Sequence, residues 1–532
     1  MKLRHLRIES CSSGGGLFDG LEVSFGRNNS VEFNDTFSPL CLIGPNGSGK
    51  SQFLQLLAEI FQSVWHLHSP DEERVSANDD ILFELTYFIS PEEDEKFELV
   101  KLVRTKRGQR NGPIELYLEN RKEPLNPKEK EFGRYLPSII IGYTSGDNET
   151  LSLPFLVSRS GYAKDVREAA LKNPFGSKVL DNRLMLVDYG TNLEVLFSNM
   201  MLGEDNVREA ILEHAALNDM ASCRCIIQLA HSAVTYKALP EQSVLTGRKK
   251  IQLTQELEET IINLKRAATC WHENKATETY TFDFYVDKES RKAIKYFWKN
   301  SLLLYKSLHK FSLLNDLVIK KEARDRMKKA VTERRFAARL PEPLQEDLVF
   351  RFEEVRFWPK GDKKPVDYVS LSDGEHQQAL ILGVYAMISE GKALFLLDEP
   401  ESHFNPQWRV KFVQRLLELK GNRTAQEFLL TSHAPFVPSD MQREQILIFS
   451  RHGDKIITKE PDIETFGATF DKILESCFNI TPPISRIAKE KINELLHSDN
   501  IEEIEQVLGE LGQSVEKAFL ANHLRLLKKR YK

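Results

Sequence analysis

Residues 44–51 read Gly44-Pro45-Asn46-Gly47-Ser48-Gly49-Lys50-Ser51, the pattern G-x-x-x-x-G-K-[ST], and the fold is read outward from them. Before the loop stands the apolar run Leu40 to Ile43. After it, Phe53, Leu54, Leu57, Ile60, Phe61 and Val64 recur at helical spacing, so strand, glycine loop and helix follow one another within one short stretch. In that setting the glycines let backbone N–H groups close around a phosphate, and the helix N-terminus adds positive potential. Lys50 is then placed to reach β and γ oxygens, and Ser51 to ligate Mg²⁺. A glycine turn that binds nothing needs neither flanking element.

Further on, Leu394-Phe395-Leu396-Leu397-Asp398-Glu399-Pro400 is an apolar run ending in two carboxylates. A buried strand of this kind fixes both acids at a sheet's C-terminal edge, where ligands bind. Asp398 is expected to hold Mg²⁺ together with Ser51. Glu399 is left to orient the attacking water and take its proton. Leu371-Ser372-Asp373-Gly374-Glu375, 26 residues before Asp398 counting from Ser372, reads as a helix start. Ser372 can cap it and Gly374 allows close backbone approach; taken alone, it is an ordinary helix cap.

The order of these motifs resembles the ABC ATPase superfamily, including the RecF and SMC heads. Leu371 to Glu375 looks like the family's LSGGQ signature, and Thr431-Ser432-His433, with the histidine 35 residues after Asp398, looks like its switch-histidine loop. The resemblance implies an ATP sandwich between two copies, in which Ser372 and Gly374 act on the partner's nucleotide while His433 acts in its own chain. The expected fold is an α/β ABC-type P-loop ATPase head, a mixed β lobe plus a parallel α/β lobe, with an inserted helical region. Two departures stand out. Asp373 replaces the signature's second glycine, and the family's Q-loop glutamine has no clear counterpart. Its place falls to the polar turn after Ile141-Gly142-Tyr143, with Asn148 or Glu149 as the Mg²⁺ sensor.

Asp398-Glu399-Pro400-Glu401-Ser402-His403-Phe404-Asn405-Pro406 resembles the corresponding run of RecF-like and OLD-like ATPases of bacterial defence islands. Other stretches, among them Tyr143 to Pro154 and Glu464 to Ala468, look like PtuA, the ATPase of Septu and retron-linked Septu systems, and like restriction-associated ATPases. That likeness implies an anti-phage complex with an HNH nuclease partner of the PtuB type. Candidate nucleic-acid ligands are DNA, tRNA or a retron RNA and its DNA copy. No Asp-x-Asp pair of a Toprim nuclease follows His433, so cutting is expected from the partner. The alternative is a RecF-like or SMC-like repair ATPase that binds DNA ends or gaps.

The remaining sequence sets bounds. With 532 residues, 41% of them apolar, large cores are within reach. The expected division is an N-terminal ATPase lobe 1–160, a mainly helical insert 161–345, a C-terminal ATPase lobe 346–460 and a helical region 461–532. Within the insert, Lys288 to Leu317 reads as a long amphipathic helix, Tyr280 to Val286 as a strand, and Lys320 to Arg339 as a charge-laced helix; no sustained heptad predicts a coiled-coil arm. A net charge of -5 argues against a generally basic nucleic-acid binder. Six scattered cysteines lack zinc-ligand spacing, so free thiols are expected. No apolar run approaches the roughly 20 residues of a membrane span, and Met1 to Phe25 lacks a signal-peptide stretch. The expected location is cytoplasmic.

Overall fold

A computed structural model describes residues 1–12, 15–25, 38–75, 78–92, 96–145, 149–159, 161–172, 178–231, 249–332, 344–361, 364–419 and 426–531. Its centre is a seven-stranded sheet in the order Leu184–Val187, Ile139–Thr144, Ala393–Asp398, Glu427–Ser432, Leu40–Ile43, Ile446–His452 and Lys455–Lys459. The first six strands are parallel and the last is antiparallel. Because both faces are covered, the inner parallel strands are buried along most of their length and read as apolar runs rather than alternating ones, whereas the edge strand Lys455–Lys459 alternates.

The pleat divides each run between two cores. Cys41, Ile43, Ile141, Phe395, Leu397, Phe428 and Leu430 point into one. Leu40, Leu42, Ile140, Leu394, Leu396 and Leu429 point into the other. On the second face lie the helix Lys50–His68 and an antiparallel sheet ordered Glu22–Ser24, Lys2–Cys11, Ile81–Ile89, Glu98–Arg104 and Glu115–Leu118. On the first face lie the helix Asp373–Met387, which packs on Asn192–Leu202, Asp205–Leu212 and Pro406–Leu419, and beyond it the rest of the insert. The phosphate-loop helix and the signature helix therefore occupy opposite faces of one sheet. Each fully buried Leu, Ile or Phe in these layers contributes about 1.5–3 kcal/mol relative to exposure.

The insert departs from its expected pattern in two ways. Helices dominate it, but Leu217–Gln228, Cys270–Asn274 and Thr279–Tyr285 join Phe350–Pro359 and Val366–Asp367 in a five-stranded antiparallel sheet. The single long helix expected over Lys288 to Leu317 is two, Lys288–Phe297 and Ser301–Ser312, because Asn300 accepts the Leu303 N–H through its side chain and caps a new start. The charged helix runs Lys321–Thr332; the remainder of that stretch, 333–339, lies outside the described residues. Among the described residues no helix exceeds the 19 residues of Lys50–His68, and none is long and apolar enough to cross a membrane. Arg486–Leu496, Ile501–Glu510 and Val515–Arg530 close on a small core of their own around Ile492, Leu495, Ile504, Leu520 and Leu527.

Candidate functional site

In the parallel strands Asp398 pairs with Thr144 and Ser432 with Ile43, so the ends of four strands align along one edge of the sheet. The loop 44–51 leaves that edge directly. Gly44 stands at φ 142, where an added Cβ would lie 2.2 Å from the Phe449 carbonyl oxygen, so no other residue fits without moving backbone. Pro45, Asn46 and Gly47 are exposed at the loop's crest, whereas Ser48, Gly49 and Lys50 are buried. Lys50 Nζ donates to the carbonyls of Gly44 (3.0 Å) and Pro45 (3.1 Å). Burial pushes its pKa down to about 8, against the opposing pull of Glu399 and Asp398. The lysine thus lies in the loop it is expected to serve, beside both carboxylates.

Across 347 residues of chain, Ser51 Oγ donates to Asp398 Oδ1 at 2.9 Å. Thr431 Oγ1 donates to the same oxygen at 2.6 Å and accepts the Glu399 N–H at 2.9 Å. Burial raises the Asp398 pKa, while these two hydroxyls act to lower it. Glu399 has a left-handed backbone, φ 49, a conformation that costs about 1–3 kcal/mol in a non-glycine residue and gathers at working sites. Its carboxylate meets His433 Nε2 at 2.8 Å, and that bond holds its pKa below the usual glutamate value. Ser51, Asp398, Thr431, Glu399 and His433 therefore form one connected array. A hydroxyl and a carboxylate held this close are hard oxygen donors, which suit Mg²⁺ shared with phosphate.

The signature residues are arranged differently. Ser372 is exposed; its backbone N–H (2.7 Å) and hydroxyl (2.8 Å) both donate to Glu375 Oε2, closing the first turn of the helix on itself. A Cβ on Gly374 would lie 2.6 Å from the His403 carbonyl oxygen, so this glycine lets the helix start rest against the loop after Glu399. Gln377 Nε2 (3.2 Å) and His403 Nε2 (3.0 Å) both donate to the Ser145 carbonyl, which follows the strand beside Asp398. Asn148 lies outside the described residues, and nothing is described of the Glu149 side chain.

Two participants were not singled out by sequence. Thr431 had a signal in the Thr-Ser-His run, although only the histidine was given a role there. Glu401 had none, since a third acid in an acidic run reads as solvated. It is in fact buried, accepts the Ser432 hydroxyl and leaves its Oε2 without a partner among the described residues. Burial pushes its pKa up to about 7.

Residues 231–440 match a family model described as an AAA domain, putative AbiEii toxin, Type IV TA system. The match spans less than half of the chain, carries Ser372, Asp398, Glu399 and His433, and leaves out the phosphate loop. Among solved structures, the SMC head domain from Thermotoga maritima is 11% identical, with 87% of this chain and all of that one covered, at a TM-score of 0.32. An Smc head bound to the C-terminal domain of ScpA, from Pyrococcus furiosus, is 13% identical, with 86% and 96% covered, at a TM-score of 0.31. Superpositions that loose say nothing of activity or partners. The layered body, with phosphate loop and carboxylate strand on one sheet edge, gives a mixed α/β fold class with a P-loop at the edge of a parallel sheet, and the AAA description of the matched family agrees with it.

Proposed function

We propose that the chain binds ATP with Mg²⁺ and hydrolyses it at sites completed by a second copy, as the ATPase subunit of a cytoplasmic anti-phage complex whose cutting is done by a partner HNH nuclease. The observation that carries the ATPase reading is the Ser51–Asp398–Thr431–Glu399–His433 array at the mouth of the glycine loop. Lys50 would turn from its loop carbonyls to the β and γ oxygens. Mg²⁺, held by Ser51 and Asp398, would offset the charge of those oxygens. Glu399 would orient water and accept its proton, and His433, already in contact with Glu399, would steady that carboxylate beside the γ-phosphate.

The two-copy reading rests on placement. Ser372 is exposed at the start of a helix on the face opposite the phosphate-loop helix, so each chain would carry two half-sites. The defence reading rests on the Asp398 to Pro406 run and on the toxin–antitoxin description of the matched family.

Mixing tests the composite site. Ser372→Arg puts a bulky cation on one half-site and Lys50→Ala empties the other, so neither variant alone should turn over ATP. A mixed pair holds one site with both defects and one with neither, and should recover turnover up to what one site supports. Mixed assemblies seen by mass photometry that hydrolyse no more than the parents would sink the two-copy reading. For the defence role, Glu399→Gln should abolish phage protection by the chain co-expressed with an HNH nuclease partner. Undiminished protection removes hydrolysis from the role.

A further inference from the structure

The last helix, Val515–Arg530, is apolar on two sides. Leu520 and Leu527 are buried in the small C-terminal core, where the helix packs on Arg486–Leu496 and Ile501–Glu510. Turned about a third of a revolution away at 100° per residue, Val515, Phe519 and Leu526 are exposed to 66%, 62% and 53%. They form a stripe with Asn522 at its middle. A surface helix normally keeps that side polar, and a contiguous apolar stripe marks a contact site.

The charges beside the stripe say what can cover it. Glu516, His523 and Arg530 are spaced by seven residues and so form one column along its flank, acidic at the helix start and basic at its end. When two identical helices pair antiparallel about a two-fold axis, the same flank of each meets the other in reverse order. Pairing centred near Asn522 sets Glu516 of each copy beside Arg530 of the other and Phe519 beside the Arg525–Leu526 turn. The two helix dipoles then oppose each other favourably. In a parallel pair the two-fold axis runs along the helices and turns this flank of the two copies to opposite sides, so Glu516 and Arg530 of different copies do not meet.

We infer that this stripe is a self-association surface, where the C-terminal helices of two copies pair antiparallel about Asn522 without any need for nucleotide. It is separate from the ATP site and does not depend on the reading of that site. It gives each chain a second contact with a copy of itself, made by a unit with its own core.

The test uses the full chain without nucleotide. In mass photometry and analytical ultracentrifugation the wild type should dimerise, and Phe519→Glu should weaken the dimer at least tenfold. An unchanged thermal melt would show that this exposed substitution leaves the fold intact. Glu516→Arg and Arg530→Glu should each weaken association, and the double exchange should restore it. Asn522→Cys should give a disulfide-linked dimer on mild oxidation that the wild type, with its exposed Cys270, does not. A wild type that stays monomeric at about 10 µM, where a contact of µM affinity would already show, overturns the inference. So does a dimer indifferent to Phe519→Glu, or a charge exchange that restores nothing. A stripe used for a different protein would show itself as the monomeric outcome.

Discussion

The phosphate half-site and the signature half-site are both made of a short polar motif at a helix start, yet their surroundings differ. Lys50 is buried and bonded to its own loop, and Ser51, half-buried, is bonded to Asp398, 347 residues further along the chain. Ser372, in contrast, is exposed, and its side chain bonds to Glu375, three residues away in its own helix. A half-site built from distant parts of one chain is assembled when that chain folds. An exposed loop that satisfies itself locally is free to exchange those bonds for an outside anion. The contrast teaches that bonding range, more than motif identity, separates the half that binds from the half that waits.

The comparison breaks most readily at Lys50. Lys50→Ala should weaken ATP binding by about 10²-fold or more, because the buried cation aimed at the phosphates is lost. Calorimetric titration giving near-wild-type affinity would show that the buried half is not the binding half. Glu399→Gln should leave ATP binding intact while turnover falls by roughly 10² or more, since the side chain keeps its shape but not its basicity. Turnover close to the wild type would take the base role from Glu399.

A finer distinction lies in pH. Lys50 carries its charge below about pH 8 and loses it above, so ATP affinity should fall as pH rises from 7 to 9, by up to about tenfold. Affinity that rises or stays flat over that range contradicts the lysine's role. The smallest effect belongs to Glu401. Its folded pKa of about 7 lies above the ordinary glutamate value of 4.5, so the folded state holds a proton that the unfolded chain has lost. That contribution is full below about pH 4.5 and is gone once pH passes 7. Glu401→Gln should therefore raise the melting temperature at pH 8 by a few degrees, corresponding to about 1–3 kcal/mol, with a smaller gain at pH 5. An equal shift at both pH values would mean that the carboxyl's charge is not what burial opposes.

Much of the P-loop body was legible because its physics is local. Leu40–Ile43, Ala393–Asp398 and Glu427–Ser432 are apolar runs cut off by polar residues, which is what a strand buried on both faces requires. The insert's sheet was legible only in part: Tyr280 to Val286 reads as a strand and Thr279–Tyr285 is one, but its central strand was not legible. Leu217–Gln228 carries Asn218, Asp219, Ser222 and Arg224 among its apolar residues, and its alternation breaks where the register with Phe350–Pro359 shifts. Partners far along the chain, Thr279–Tyr285 on one side and Phe350–Pro359 on the other, make it a strand. Asn300 was visible as a residue but not as a cap, since apolar positions continue on both sides of it. Glu401 shows the same limit at the site: burial belongs to the fold, and no neighbour in sequence reports it.

The position of Leu40–Ile43 in the central sheet also bears on how the chain is made. Its two lateral neighbours, Glu427–Ser432 and Ile446–His452, come roughly 400 residues later, which at ~5–20 residues/s is about 20–80 s of translation. Throughout that interval the glycine loop hangs from a strand with neither sheet partner, and Leu40 and Leu42 must be shielded by the earlier antiparallel sheet or by a chaperone. Nucleotide cannot guide the folding of the first half, because the carboxylates that complete its site have not yet been made. ATP binding by a nascent chain would report that synthesis has passed His452.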